Sequence, residues 1–486
     1  MPQDDTRPHI VIAGATGFVG TALRRALMSD FRITGLTRSA SRTDGLDSRT
    51  GTYWRHCDLF SLLELEQALQ GADYAIYLVH SMMPSARLRQ GSFADLDLIM
   101  ADNFARAAKH GGVKQIVYLG GLVPKSDHLS LHLASRLEVE HALGSGTSPL
   151  TALRAGLIVG PGGSSLRIVI NLVRRLPLMV LPKWTRTLTQ PIAIDDVVRA
   201  FRLVLGNPAY CGGHYDIGGP NVMSYQQMLK HTADVLGRRR VMVNVSILSV
   251  ALSKIWVSLL GGASRKLVGP LVDSLKYPMV AERNPVQNEL MRGAKSFHTA
   301  LRESIDDRGR LIPNPRDDIR RIDDRAIRHA RRVRSVQRMP LPDSYTARMV
   351  AEEYYRWLPT LVRPLLRCEL AEGGKLRLCL GFTRWLLVEF SHSAERSTED
   401  RQLFYITGGI LARTRDNPKG RIEFREMLDR RWVLAAIHEY SPMLPWYFYS
   451  ATQALVHLMV MRKFARHLGR IRDAELAKDR ENRPGS

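Results

Sequence analysis

At 486 residues the chain is longer than one ordinary domain, and its 45% apolar and 24% charged residues exclude a disordered or low-complexity polymer. Seventy Lys and Arg against 47 Asp and Glu leave a net charge of +23, which favours anionic partners such as nucleotide phosphates or else reflects a basic, solvated surface. Cysteines at 57, 211, 368 and 379 show no C-x-x-C spacing, and no His cluster completes a zinc set; no metal is expected, and the thiols are expected buried in a reducing compartment.

The opening residues, MPQDDTRPHI, lack a basic start followed by an apolar run, so no secretory signal and a cytoplasmic location are expected. Residues 8–150 alternate β-branched runs with helical patterns. The reading places strands over 9–13, 31–36, 53–57, 74–79, 115–119 and 150–154, with helices over 18–28, 62–69, 94–109 and 129–143. That alternation predicts an α/β fold built on a doubly wound parallel sheet of Rossmann type. Residues 155–235 continue less regularly, with glycine-rich loops at 160–163 and 218–220 and helices over 165–175 and 195–205. A first domain over 1–235 follows.

Residues 240–300 are apolar and helical without a strand pattern, and 302–340 are dense in charge of both signs, which together predict a helical segment and linker over 236–344. From 345 to 475 the pattern changes. Antiparallel strands are expected over 375–381, 385–390, 402–411, 420–427 and 432–439, then a long helix over 446–472, an α+β arrangement in which a curled sheet grips one helix. Residues 476–486 are expected to be a disordered tail. Two apolar stretches invite comparison with membrane spans. The stretch 243–260 is interrupted by Lys254. The stretch 442–461 carries no formal charge and precedes Arg462, Lys463 and Arg466, but Pro445, Gln453 and His457 spoil it as a lipid-facing helix. A packed helix is expected there in preference to a peripheral membrane contact.

The strongest chemical signal follows the first strand: Gly14-Ala-Thr16-Gly17-Phe18-Val19-Gly20, then a helix. Gly14 allows a tight turn, Gly17 lets a pyrophosphate approach the backbone, and Gly20 lets helix and strand pack closely. The helix start supplies N–H groups and positive dipole to the phosphates. The second strand leads into Arg38, with Arg42 beyond it, where a cofactor lacking a 2′-phosphate meets an acid; NADP(H) is therefore expected, with NAD(H) as the alternative. Asp58 and Leu59, after the third strand, lie where the adenine amino group would find an acceptor, Asp58 serving equally as a helix cap. His80 and Ser81, after the fourth, lie where ribose and nicotinamide pass.

These residues resemble the atypical and extended short-chain dehydrogenase/reductases. The glycine pattern, the Asp58 loop, Asn103 and Leu153-Arg-Ala-Gly156 carry the likeness. Leu78-Val-His-Ser-Met82, Ser126-Asp-His-Leu129, Pro182-Lys-Trp184 and Ser224-Tyr-Gln-Gln227 are similar to the NmrA-like group, relatives of the Rossmann-type accessory subunit of respiratory complex I. In that bacterial group the C-terminal part resembles SRPBCC-type helix-grip domains, with Phe404-Tyr-Ile-Thr-Gly-Gly409 and the tail helix as the match here. The resemblance implies an NAD(P)H-dependent oxidoreductase acting on an apolar carbonyl or quinone.

The resemblance fails at the chemistry. Active members carry Ser after the fifth strand and Tyr-x-x-x-Lys on the next helix, the Tyr as acid/base and the Lys lowering its pKa. Here the strand exits as Gly120-Gly121, and the spacing is met only by His132-Leu-Ala-Ser-Arg136. His132 is the candidate proton donor and Arg136 a positioning cation; alternatively both lie beside a bound but unreactive nucleotide, in a redox sensor or assembly subunit. Asp195-Asp196 are expected to cap a helix, and Arg154 to face the site or pair with an acid. Arg238-Arg-Arg240 has no accompanying nucleic-acid motif, and no nucleic-acid partner is expected. Trp446, Tyr447, Phe448 and Tyr449 are expected to line or cover a cavity in the C-terminal domain that holds a hydrophobic small molecule.

Overall fold

The computed structural model describes residues 6–39, 44–48, 50–80, 88–126, 128–245, 273–313, 333–361, 366–371, 375–383, 385–414 and 420–481. The chain forms two compact units, one of residues 1–82 and 100–323, the other of residues 83–99 and 324–486.

In the first unit the chain runs β1 (His9–Ala13), α1 (Phe18–Leu27), β2 (Arg32–Thr37), β3 (Gly45–Asp47), β4 (Thr52–His56), α2 (Leu62–Leu69), β5 (Tyr74–Tyr77), then β6 (Leu88–Gln90), which belongs to the second unit, α3 (Phe93–His110), β7 (Gln115–Gly121), α4 (Leu131–Gly144) and β8 (Leu150–Ala155). Its sheet has the order His214–Ile217, β8, β7, β5, β1, β2, β4, β3, parallel throughout except for β3 against β4. This is the expected doubly wound sheet. β1 sits between β2 on one side and β5 on the other, so the winding reverses there and leaves a crevice beyond the C-terminal ends of β1 and β5. All five residues of β1 are buried, as a strand covered on both faces requires. Leu23 and Leu27, one turn apart on α1, join Ile10, Ile12, Ile76 and Val117 in the core.

The second unit holds an eight-stranded sheet in the order Leu366–Ala371, Lys375–Leu380, Leu386–His392, Arg401–Gly408, Arg421–Met427, Trp432–Tyr440, Val333–Pro340 and β6. It is antiparallel except for the last pair. One core gathers Tyr354 and Tyr355 from the helix Ala347–Leu361, Phe464 and Leu468 from the helix Gln453–Glu481, and Phe404, Phe424 and Val433 from the sheet. The antiparallel sheet with its long helix agrees with the expected α+β arrangement; the helix Ala347–Leu361 and the strand Leu366–Ala371 add to it.

Several expectations are corrected. The stretch expected to be helical and linker, 236–344, forms a strand at Val241–Val245, paired in parallel with Leu178–Pro182, and another at Val333–Pro340 inside the second sheet. Val-Met-Val-Asn-Val is β-branched at alternate positions, which suits a strand better than a helix. The final helix extends to Glu481, into the expected tail. Residues 83–99, expected in the first domain, count with the second unit. Cys211 is exposed and Cys368 only half-buried, whereas Cys57 and Cys379 are buried. Residues 246–260 of the first apolar stretch lie outside the described residues.

Candidate functional site

The glycine loop joins β1 to α1 at the point of winding reversal. Gly14 has φ +88°, a conformation closed to most L side chains, and a Cβ there would come within 3.1 Å of Leu78 on β5's exit. Gly17 is the residue before α1, and its amide donates to the Gly14 carbonyl at 2.9 Å. A Cβ on Gly20 would stand 2.3 Å from the Gly14 oxygen and 2.8 Å from the Ala15 Cα, so only glycine lets α1 lie this close to the loop. Gly17 differs. Its φ of −74° is open to any residue, and an added Cβ would meet just one atom of the protein, the Gly14 oxygen at 3.1 Å. That contact is tight but relieved by a shift of a few tenths of an ångström, so the fold restricts Gly17 less than it does Gly14 or Gly20.

Neighbouring residues fix this loop. The Phe18 ring packs over Gly160 and Gly163, whose added Cβ atoms would lie 2.9 and 3.4 Å from it. Thr16 is buried and Val19 half-buried. Sequence reasoning missed Arg24. It is buried on the inner face of α1, its Nε donates to the Ala15 carbonyl at 2.9 Å and its Nη1 to Thr52 Oγ1 at 3.1 Å, and its guanidinium lies 4.8 Å from the Trp54 ring centroid. The only local signal is an arginine beside two core leucines.

Arg38 is exposed directly after β2; Arg42 lies outside the described residues. Past β4, Asp58 Oδ1 accepts from the Phe60 amide at 3.2 Å and the Asp58 amide donates to Glu64 at 2.8 Å, while Ser61 caps α2. Asp58 therefore shapes the turn ahead of the cap. Leu59 is buried, and its carbonyl accepts from Nδ2 of the fully buried Asn103 on α3 at 2.9 Å. Asp58, Leu59 and Asn103 thus hold the loop after β4 in place.

Past β5 the structure brings together His80, Arg136 and His132. Arg136 is buried on α4, and its Nη1 lies 3.4 Å from His80 Nε2. His80 keeps an exposed face, yet loss of solvent around its ring, then the charges of Arg136 and His132, hold it well below the ordinary imidazole value. Burial and then Arg136 lower His132 to about 4, so this half-buried histidine is neutral at pH 7. Ser135, between them, is buried, and among the described residues its hydroxyl has no hydrogen-bond partner. A Cβ on Gly120 would come 2.8 Å from the Tyr118 ring, so no serine fits there unless that ring moves. Ser81 lies outside the described residues.

The remaining candidates have structural partners. Arg154 forms a two-pronged pair with Glu140, at 3.0 and 2.6 Å. Contrary to expectation Asp195 and Asp196 do not cap the helix Ile194–Val204: Ala193 holds that position, and the two acids lie two and three residues past it in the first turn; Lys295 Nζ donates to Asp195 at 2.6 Å and the Lys295 amide to Asp196 at 2.9 Å.

The second unit has a cavity of its own, about 1400 Å³, between the helix Ala347–Leu361 and the first strands of the sheet. Tyr355, Phe404, Leu376, Cys368, Arg356 and His392 are among its walls. The Tyr355 hydroxyl is buried and has no hydrogen-bond partner among the described residues. Tyr447, Phe448 and Tyr449 are not among the residues lining this cavity, contrary to expectation; the side chain of Trp446 lies outside the described residues. Tyr447 and Phe448 face solvent, and Tyr449 packs on Tyr440 at 6.0 Å.

Comparison with known proteins agrees with the geometry of the loop. Residues 14–139 match the NAD(P)H-binding family. The auxiliary protein GraX of Staphylococcus aureus is 31% identical over 117 residues, which span 24% of this chain and 37% of that protein. Among solved structures, a nucleoside-diphosphate-sugar epimerase from Staphylococcus aureus aligns with 61% of this chain and 100% of its own, at 15% identity and a TM-score of 0.49. A triphenylmethane reductase from Citrobacter sp., complexed with NADP(H), aligns with 60% and 98%, at 17% identity and 0.48. An NADPH-dependent quinone oxidoreductase from Escherichia coli, complexed with NADPH, aligns with 60% and 97%, at 20% identity and 0.47. The site is that of a Rossmann-type nicotinamide-nucleotide-binding domain. In this chain the NAD(P)H-binding region is the one that opens at Gly14.

Proposed function

We propose that the first unit binds NADP(H) along Gly14–Gly20 and reduces an apolar carbonyl or quinone. The carrying observation is the Gly14–Gly20 turn itself: it joins β1 to α1 at the point where the winding reverses and opens the region that matches the NAD(P)H-binding family, so a pyrophosphate would lie on the start of α1. Arg38 would meet the 2′-phosphate, the Asp58–Leu59 loop the adenine, and His80 with Ser81 the ribose. The reduced nicotinamide, when bound, supplies the hydride. Arg136, buried and permanently charged, would stabilise negative charge growing on the acceptor oxygen. His132 would give that oxygen its proton. The cavity beside Tyr355 would hold an apolar small molecule, in a unit of SRPBCC-like type.

A second reading, a non-catalytic nucleotide-binding sensor or assembly subunit, is favoured by two observations: His132 is neutral at pH 7, and the Tyr118 ring occupies the space a serine at 120 would need. One assay separates them. Purified protein is mixed with NADPH and a panel of quinones and aldehydes, and absorbance of the reduced cofactor is followed from pH 8 to 5. If His132 is the donor, turnover rises about tenfold per unit of falling pH across this range, as its protonated fraction grows, and His132→Ala flattens the profile. Tight NADPH binding with no oxidation at any pH supports the sensor.

A further inference from the structure

The helices Trp446–Ala451 and Gln453–Glu481 expose an apolar patch that the dinucleotide chemistry does not use. Tyr447 is 82% exposed, Phe448 67%, Leu455 57% and Val456 53%, and Met443, Leu444 and Met459 are exposed beside them in the chain. Large apolar side chains left in water over consecutive turns cost free energy that a folded chain ordinarily avoids. On the long helix this face changes character along its axis. Leu455, Met459, Arg462, Lys463, Arg466 and Arg470 follow at three- and four-residue steps, so they share one stripe about 22 Å long. Its first turns are apolar, and its later turns present exposed cations. From 441 to 472 the chain has five Arg and Lys and no Asp or Glu.

We propose that this face is a docking surface for an anionic lipid bilayer. Tyr447, Phe448, Leu455, Val456 and Met459 enter the boundary between headgroups and acyl chains, and Arg462, Lys463, Arg466 and Arg470 meet the lipid phosphates. The charge pattern selects this occupant. An apolar end running into a cationic end, with no acid out to Asp473, complements a surface that is oily beneath and negative on top. Among the described residues no helix is long and apolar enough to cross a membrane, so the mode is attachment at the interface. The attachment stands independently of the reductase chemistry proposed for the first unit.

The test is co-sedimentation of the full chain with vesicles of phosphatidylglycerol and phosphatidylcholine, against phosphatidylcholine alone. Binding to the anionic vesicles is expected, falling steeply between 50 and 500 mM salt. Tyr447→Ser with Phe448→Ser should weaken it by about tenfold or more, from the apolar area lost. Arg462→Gln, Lys463→Gln and Arg466→Gln together should weaken it by on the order of a hundredfold at low salt, at about fivefold per cation. Every substituted residue is solvent-exposed, and circular dichroism with thermal unfolding confirms that the variants remain folded. Equal binding to both vesicle types, no binding to either, or binding unchanged in the serine variant would overturn the proposal. So would analytical ultracentrifugation showing a dimer that the serine substitutions break apart, since the occupant would then be a second copy of the chain.

Discussion

Three glycines in seven residues look equivalent in sequence and are not equivalent in structure. Gly14 is required by its backbone angle and Gly20 by a clash with the loop's own backbone, whereas a Cβ on Gly17 would make one tight contact, 3.1 Å from the Gly14 oxygen, that a small shift relieves. The difference gives opposite outcomes for two substitutions of the same size. Gly20→Ala drives a Cβ into backbone atoms that cannot swing aside, and should cost about 3 kcal/mol or more of stability. Gly17→Ala should leave stability within about 0.5 kcal/mol of the parent while lowering NADPH affinity at least about tenfold. Urea unfolding and calorimetry on the two variants measure both quantities; an unstable Gly17→Ala protein, or one with undiminished affinity, would remove the main support for the nucleotide site. At this scale the sequence was informative, because the motif states a backbone requirement directly. His132 shows the converse. Its position on the helix could be read, but its pKa near 4 depends on burial and on Arg136, so the charge state of the expected donor could not.

At the scale of elements, α1 contributes more than its dipole. Arg24 ties the helix to the loop that precedes it and to Thr52 on β4, so the phosphate-facing turn and the β2–β4 side of the sheet are held by one buried side chain. Arg24→Ala strands the Ala15 carbonyl and opens space beside Trp54. A loss of about 2–4 kcal/mol is expected, with weaker NADPH binding that extra cofactor partly restores; unchanged stability would show that the guanidinium is dispensable. The parallel strands and their helices were legible because each carries its own apolar pattern: β1 is apolar throughout after His9, and α1 repeats Leu at one-turn spacing. Val333–Pro340 was not. Two of its eight residues are arginines, which reads as linker, but Arg334 donates to Glu439 and Arg338 to Asp95, partners 105 and 243 residues away. Charge neutralised across such distances is invisible to any local window, and β6 was hidden because, among the described residues, its strand partner is the equally remote Val333–Pro340.

At the scale of the molecule, the chain places its apolar cores conventionally and gathers buried charge in the second unit. Glu423 is buried between strands, receiving Arg401 at 2.9 Å, Arg425 at 3.1 Å and His438 Nε2 at 3.0 Å. Burial alone would raise its pKa, but the two arginines, then the histidine, outweigh that and hold it well below the carboxylate range. With Glu423 already matched by two cations, burial dominates at His438 and lowers it to about 4; burial does the same at His457, which reaches Ser335 Oγ at 3.1 Å. The consequences differ in pH. The Glu423 contribution is complete above its unfolded pKa near 4.5 and is lost only as pH falls through its lower folded value. The histidines act earlier. Below about 6.5 the unfolded chain takes up protons that the folded unit refuses until about 4, so stability falls with pH across that interval, by up to about 1.4 kcal/mol per pH unit for each histidine. Hydrogen exchange read on the peptides of Arg421–Met427 and Trp432–Tyr440 isolates this unit. Protection there should fall between pH 6.5 and 5, after correction for the intrinsic exchange rate, and His438→Gln with His457→Asn should flatten the dependence. Equal corrected protection at pH 6.5 and 5 in the parent protein would mean that these two histidines titrate alike folded and unfolded, and that the buried cluster places no limit on the unit in mild acid.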